Sequence, residues 1–289
     1  MMSQDVIVSQ VADKELDGII DLQRTASALA YCTIGHTLHY HSSVTSTMTV
    51  AQELARQSDV RSGSVVIANE QRAGRGRMDR HWEAPAGRAL LLSIILKPPH
   101  LSSQPGHLAM IAGLAIIHAL DRCELTDGVQ AGLKWPNDVL LGQERIHAGK
   151  LGGVLIESAF AEGAWQTAII GCGINVNQER AELPQVTLPA PAPTSLRIAL
   201  GHSVSRTELL IALCQAWDQL LTWSPFKLVA EWRSRLWTLD RSVRLHLANN
   251  EILEGTAVDV ADDGSLILED DSGRRHVIIA GDVTLRMTG

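Results

Sequence analysis

The chain is short of cysteine, has no long apolar run, and carries too little positive charge to balance its acids. Cys32, Cys123, Cys172 and Cys214 are the only cysteines in 289 residues. They are far apart and form no C-x-x-C pair, which argues against a disulfide framework or a cysteine zinc site and fits a reducing compartment. No apolar stretch approaches the roughly 20 residues of a membrane span. The opening MMSQDVIVSQVADKELDGII has acids and no basic n-region, unlike a secretion signal. A cytoplasmic protein is expected. The formal net charge of -7 disfavours a broad nucleic-acid face, which needs cations clustered over a surface. No internal repeat or low-complexity tract is present.

What is there suits a folded enzyme-like chain. Hydrophobic residues make up 45% and charged residues 20%, whereas a disordered chain would be less apolar. The length allows one large domain, or a medium one with a small companion. Residues 1–35 read as a short leader with one modest helix, DGIIDLQRTASALA. TLHYHSSVTSTM suits an edge strand, and TVAQELARQ has helical spacing behind a Ser/Thr cap. GSVVIAN and RALLLSIILKP read as strands, the second ended by Pro98-Pro99. PGHLAMIAGLAIIHALDR is a long apolar helix with Pro105 near its start. GLKWPNDVLLGQERIHAGKLGGVLIES reads as strand, turn, strand, and WQTAIIGCGINVNQ as a further strand.

LPQVTLPAPAPTSL is a surface loop or lid. Two helices follow, RTELLIALCQAWDQLLTW and the segment from Pro225 to Leu236. From about Asp240 short alternating strands take over, with turns at Asn249-Asn250, Asp263-Gly264 and Ser272-Gly273. The expected fold is α+β: a central mixed sheet flanked by helices over residues 36–238, and a small SH3-like β-barrel over 239–289.

One stretch concentrates the scarce positive charge. EQRAGRGRMDRHWEAPAGRALLLSIIL, Glu70–Leu96, places Arg72, Arg75, Arg77, Arg80 and Arg88 around glycines. Gly74 and Gly76 allow close backbone approach and positive φ. Arginine forks suit phosphate or carboxylate, at roughly 1.5–3 kcal/mol per charge-assisted bond. Mutual repulsion should leave the empty loop mobile. The alternative is a solvated turn whose arginines pair with Asp79, Glu83 and their neighbours.

Three other features stand beside it. In KWPND, Lys134 sits at a strand end where it can face a phosphate or simply snorkel, while Asn137 and Asp138 can brace the turn. In GCGINVN, the third glycine of a dinucleotide fingerprint is missing and a strand surrounds the motif, so that reading fails. Its glycines give either close packing or clearance for a ligand, with Asn175 or Asn177 as a polar anchor. Trp82 packs on the closed loop or sits at the core edge. His39 and His41 share a strand face without a third ligand and read as surface histidines; no metal ligand is nominated. Cys172 reads as an inert buried thiol.

TSTM, EQRAGRGR, HWEAPAGRALLLSIILKP, KWPNDVLL, KLGGVLIE and GCGINVN, in this order, resemble the blocks of biotin protein ligases, also called biotin–[acetyl-CoA-carboxylase] ligases. The resemblance spans about Tyr40 to Asn177, and the C-terminal barrel fits the family too. It implies a class II synthetase-like catalytic fold. It also implies an ATP-dependent reaction in which biotin becomes biotinyl-5′-adenylate and passes to a lysine of a biotin carboxyl carrier protein. That carrier belongs to acetyl-CoA carboxylase or another biotin-dependent carboxylase.

The resemblance further implies roles for single residues. Ser46 and Thr47 meet the ureido ring, with Met48 beside them. Gln71 lies along biotin. Gly74, Arg75, Gly76 and Arg77 fold over the carboxylate and phosphate. Lys134 contacts the phosphate, Asn175 the nucleotide side, and Lys150 stands behind them. Arg75, Arg77 and Lys134 are the catalytic nominees, and Mg²⁺ accompanies ATP. Met48 replaces a usual asparagine, Met78-Asp79 replaces x-Gly, and Gly152 mildly replaces alanine. The leader is too short for a helix-turn-helix, so a ligase without DNA or membrane partners is expected; a homodimer is left open. A lipoate–protein ligase and a non-catalytic biotin-binding protein are the rivals.

Overall fold

β-Branched and leucine-rich runs of four to eight residues, separated by turn residues, are the raw material of the central sheet. The computed structural model describes residues 19–285 apart from 79, 102–103, 124, 126–127, 162–163, 187–189 and 248–250. In chain order the elements of the body are α1 Leu22–Ala28, β1 Leu38–His41, α2 Thr47–Ala55, β2 Ser64–Ala68, β3 Gly74–Arg75, β4 His81–Trp82, β5 Ala89–Leu96 and α3 Pro105–Asp121. They continue with β6 Gln130–Lys134, β7 Asp138–Gly142, β8 Gly149–Ala161, β9 Ala164–Asn175, α4 Leu196–Leu200, α5 Arg206–Leu221 and α6 Pro225–Arg235. The terminal module adds β10 Arg241–His246, β11 Ile252–Val260, β12 Leu266–Glu269, β13 Arg275–Ile278 and β14 Asp282–Leu285.

Seven strands form a mixed sheet in the order β1-β2-β5-β9-β8-β7-β6. Only β1 and β2 run parallel; the other neighbours are antiparallel. One face is covered by α3, which contacts β6, β7 and β8 and stacks on α5 and α6. α3 is apolar nearly all round, as a helix sandwiched between sheet and helices must be. On the other face α2 lies over a small cluster of Met48, Ala51, Val66, Ile95 and Ile169. This light cover leaves room for a cavity. Among the described residues no helix is long and apolar enough to cross a membrane.

The first described residues belong to the body. Asp21 caps α1 by accepting from the Arg24 amide, its own amide donates to Thr207 on α5, and the Thr33 and Ile34 amides donate to the Asp218 carboxylate. KWPND is itself a hairpin: Lys134 pairs with Asp138 across the turn, so the region read as two strands holds three. The short helix α4 and the two-residue strands β3 and β4 escaped the sequence reading, because elements that short carry no period.

The terminal module is a five-stranded antiparallel sheet in the order β13-β12-β11-β10-β14. Gly264 and Gly273 take the positive φ that their turns require, while the Asn249-Asn250 turn lies outside the described residues. Val243, Leu245, Ala257, Val260, Leu266 and Leu268 join the same core cluster as the body. The seam is tight. Trp135 donates Nε1–H to the Gly264 carbonyl at 2.9 Å, Arg233 reaches the Val260 carbonyl and Asp259, and Gly106 abuts the Asp263 carbonyl.

A β-carbon at position 106 would collide with that carbonyl. Gly106→Ala is expected to cost about 1–3 kcal/mol, the usual range for overpacking. A urea titration followed by tryptophan fluorescence checks this, and an unchanged midpoint would contradict the close seam.

Candidate active site

The hollow of the sheet comes from glycine. On the α2 face, β9 presents Ile169, Gly171, Gly173 and Asn175 in alternation, and β8 presents Leu155 opposite Gly171 and Gly153 opposite Gly173. Three missing side chains in a patch open a cavity of about 260 Å³, walled by α2, the arginine loop, the KWPND turn, the proline-rich segment and β14. The glycine clearance serves protein side chains first. A β-carbon at Gly171 would lie 2.5 Å from the Met48 sulfur, and one at Gly173 would lie 2.7 Å from the Trp82 ring. Met48 and Trp82 thus become cavity walls.

The cavity has a polar end at the start of α2. Ser46 caps the helix, its Oγ accepting from the Met48 amide. Gln71 Oε1 accepts from both the Thr47 amide at 2.7 Å and the Thr47 hydroxyl at 3.0 Å. Ser93 on β5 donates to the Thr47 hydroxyl at 2.8 Å. Ser46, Thr47 and Ser93 are buried, so these hydroxyls form a small preorganised set beside apolar Met48 and Leu155.

The arginine loop folds over the cavity as the β3–β4 ribbon. Arg75 makes a two-pronged ion pair with Glu157 on β8, whose carboxylate also accepts from Gln52. Arg77 donates to the Asn137 side chain at 3.0 Å and to the Gly281 carbonyl at 3.3 Å. Arg80 pairs with Asp282 at 2.6 Å. The carboxylate partners therefore come from β8 and β14 rather than from Glu83. Their charge offsets the repulsion expected to leave the empty loop mobile. Asp79 lies outside the described residues. Burial lowers the Arg77 pKa, Asp282 and Asp138 counteract this, and Arg80 adds to the lowering; a guanidinium stays charged regardless. Neither Gly74 nor Gly76 has positive φ. That conformation falls on Met78, at φ 53°, where a side chain costs about 1–2 kcal/mol.

Lys134 does not snorkel. It is buried, 4% exposed, with its ammonium 3.5 Å from Asp138. Lys150 reaches the other oxygen of the same carboxylate at 2.7 Å and lies over the Trp82 ring. Asp138 thus holds two lysines, while Asn137 braces the turn by donating to the Val154 carbonyl. Burial pushes the Asp138 carboxyl up, but Lys150 and then Lys134 outweigh it, and the group sits below the usual carboxylate range. Arg75, Arg77, Arg80, Lys134 and Lys150 line the cavity against Glu83, Asp138 and Asp282. A chain of net charge -7 has built a cationic site.

Of the residues nominated from sequence, Ser46, Thr47, Met48, Gln71, Arg75, Gly76, Arg77, Lys134 and Asn175 all line this cavity. Gly74 does not. It backs onto the Trp82 carbonyl and faces a second cleft beyond the ribbon. Asn175 is held by the Thr194 carbonyl and by Gln178, whereas Asn177 is engaged with Val204 away from the cavity. Lys150, ranked low from sequence, lines the site, as do Asp138, Asn137 and Asp282. Only a strand register could have joined Lys150 to Asp138. Gly152 is no mild change: a β-carbon there would lie 2.7 Å from the Gly173 carbonyl. Cys172 is buried, which pushes its thiol up to about 12. His39 is pushed down by burial and by His41, and among the described residues no group of three or more His, Cys, Asp or Glu is placed to hold a metal.

Residues 40–175 match the Biotin/lipoate A/B protein ligase family, and residues 238–286 match the Biotin protein ligase C terminal domain. The Bifunctional ligase/repressor BirA of Bacillus subtilis (strain 168) is 32% identical over 253 residues, covering 86% of this chain and 74% of that protein. The chain belongs to the biotin protein ligase family. A second relative, the Biotin--[acetyl-CoA-carboxylase] ligase of Mycobacterium tuberculosis, is 36% identical over 76% of this chain and 78% of its own length. Among solved structures, the biotin protein ligase from Aquifex aeolicus in complex with biotin and ATP superposes with a TM-score of 0.68 at 26% identity, over 87% of this chain and 99% of that one. The Leishmania major biotin protein ligase in complex with biotinyl-5-AMP gives 0.59 at 26% identity, over 84% and 98%.

The Asp138 pair makes a pH prediction. A carboxyl held below its unfolded value of about 4 stabilises the fold above that value, and the contribution is lost as pH falls through the lower folded value. Asp138→Asn strands two lysines and is expected to cost roughly 3–5 kcal/mol at neutral pH. Urea midpoints of both proteins, measured from pH 7 downward, should converge in acid; a constant gap would contradict the buried pair.

Proposed function

We propose that this protein activates biotin with ATP as biotinyl-5′-adenylate and transfers it to a lysine of a biotin carboxyl carrier protein, releasing pyrophosphate and then AMP. The observation that carries the reading is the convergence of five cationic side chains on a hollow that is apolar at its floor and hydroxyl-lined at one end. Biotin is an apolar bicycle with a hydrogen-bonding ureido head and an anionic tail. The Ser46–Thr47–Gln71 set, braced by Ser93, suits the head, and Met48, Trp82 and Leu155 suit the bicycle.

In the first step the biotin carboxylate attacks the α-phosphate of ATP. Two anions must meet, so cations fixed in place lower the barrier without reorganising. Lys134 and Lys150 supply such charge, already oriented by Asp138. Arg75 and Arg77 close over the phosphate from the ribbon and limit water access to the mixed anhydride. Asn175 faces the nucleotide side. In the second step the carrier lysine attacks the acyl carbon and AMP leaves. No nucleophile of the enzyme is required. Mg²⁺ is assigned to the phosphates of the incoming nucleotide, its usual mode of binding, because Asp138 is already saturated by lysines. Residues 36–238 form the ligase unit and 239–289 the accessory module in this reading. A cytoplasmic location and a carboxylase-borne carrier go with it. The negative net charge favours a ligase that leaves DNA alone, which a gel-shift titration tests.

Mass spectrometry of a carrier domain incubated with the protein, biotin and Mg-ATP tests the whole reading. A single biotinyl addition on one lysine is expected, and none would refute it. The lipoate rival is separated by ATP–pyrophosphate exchange, which should run with biotin and not with lipoate. Lys150→Ala should slow that exchange by at least about 100-fold, as expected for loss of one preorganised charge at the reacting phosphate. Arg75→Ala should speed adenylate release far more than it weakens biotin binding, and equal losses in calorimetry would contradict its role at phosphate.

A further inference from the structure

Arg206 sits where a cation should be avoided. It is the first residue of α5, behind the cap Ser205, at the helix end that repels positive charge. It is also 4% exposed. No carboxylate forms an ion pair with it among the described residues, and its Nε has no hydrogen-bond partner. Its other nitrogens explain the placement. One donates to the Ala89 carbonyl at 2.9 Å, the other to the Asn69 side-chain oxygen at 2.8 Å. Asn69 and Ala89 are the residues immediately before and after the arginine loop 70–88.

The same two roots are tied by main-chain bonds. The Asn69 amide donates to the His41 carbonyl, the Gly87 amide to the Asn69 carbonyl, and the Asn177 amide to the Arg88 carbonyl. The planar guanidinium spans the gap between roots, which a lysine ammonium cannot do at two fixed acceptors. Burial of so poorly compensated a charge is unfavourable, and among the described residues the groups that accept its hydrogen bonds are the loop's two ends.

We propose that Arg206 is a positioning residue that clamps both roots of the arginine loop and thereby sets Gln71, Arg75, Arg77 and Trp82 over the cavity. Its catalytic consequence rests on the ligase reading; its effect on the loop does not. Opening of the loop is a local equilibrium, readable by proteolysis. The loop carries five trypsin sites, at Arg72, Arg75, Arg77, Arg80 and Arg88.

The test is limited trypsinolysis of the full, unliganded chain, with fragments quantified by mass spectrometry. Cleavage within residues 70–88 is normalised to cleavage at Arg274 in the exposed β12–β13 turn. Arg206→Met should raise this ratio about tenfold, and Arg206→Lys should fail to restore it. Asn69→Ala, which removes one arm of the clamp, should raise it severalfold and carries the test if Arg206→Met does not fold. Pyrophosphate exchange by Arg206→Met should lose about tenfold in kcat, with the KM for biotin moving less than threefold. An unchanged ratio in the folded variants, or full restoration by lysine, overturns the proposal. A raised ratio in a protein whose parent makes no biotinyl-adenylate leaves the clamp standing and sinks the ligase reading.

Discussion

One carboxylate organises the charges of this protein. Asp138 is buried between Lys134 and Lys150, and without it two ammonium groups would face each other in a low-dielectric hollow. With it, the pair of lysines keeps one uncompensated positive charge in a fixed place. The arginines are held differently. Arg75 and Arg80 lie on partly exposed carboxylates, and such pairs are worth only about 0–1 kcal/mol. A phosphate can replace those partners cheaply. The site thus combines immovable cations in its wall with exchangeable ones in its cover.

The cover and the floor depend on each other. Met48 and Trp82 occupy the space vacated at Gly171 and Gly173, so α2 and the ribbon are both seated on one strand. Filling either glycine would move a wall of the cavity before it touched a ligand. This explains why the sheet has a bulky covered face and a sparse open one within the same strand β9.

Much of this was legible in the chain and some was not. β5 and α3 announced themselves through unbroken apolar runs, and the barrel through Asp263-Gly264 and Ser272-Gly273, because local turn chemistry and periodicity act over a few residues. The family blocks picked out most of the cavity lining. What stayed hidden was non-local. Nothing near Lys150 says that it shares Asp138 with Lys134, since that contact needs the β7–β8 register. Nothing near Arg75 or Arg80 names Glu157 or Asp282, which lie 82 and 202 positions away. The expected positive φ at Gly74 and Gly76 failed because the ribbon is extended there and bends at Met78 instead.

The KWPND turn faces two ways. Lys134 and Asp138 point into the cavity, while the intervening Trp135 is hydrogen-bonded to the terminal module. Accessory and chemical parts therefore share a single rigid pentapeptide. Such a joint does not permit free exchange of modules between relatives. A grafted barrel seated a fraction of an ångström differently would tilt the indole and carry the two charged neighbours with it, so the halves of the molecule are bound to evolve in step.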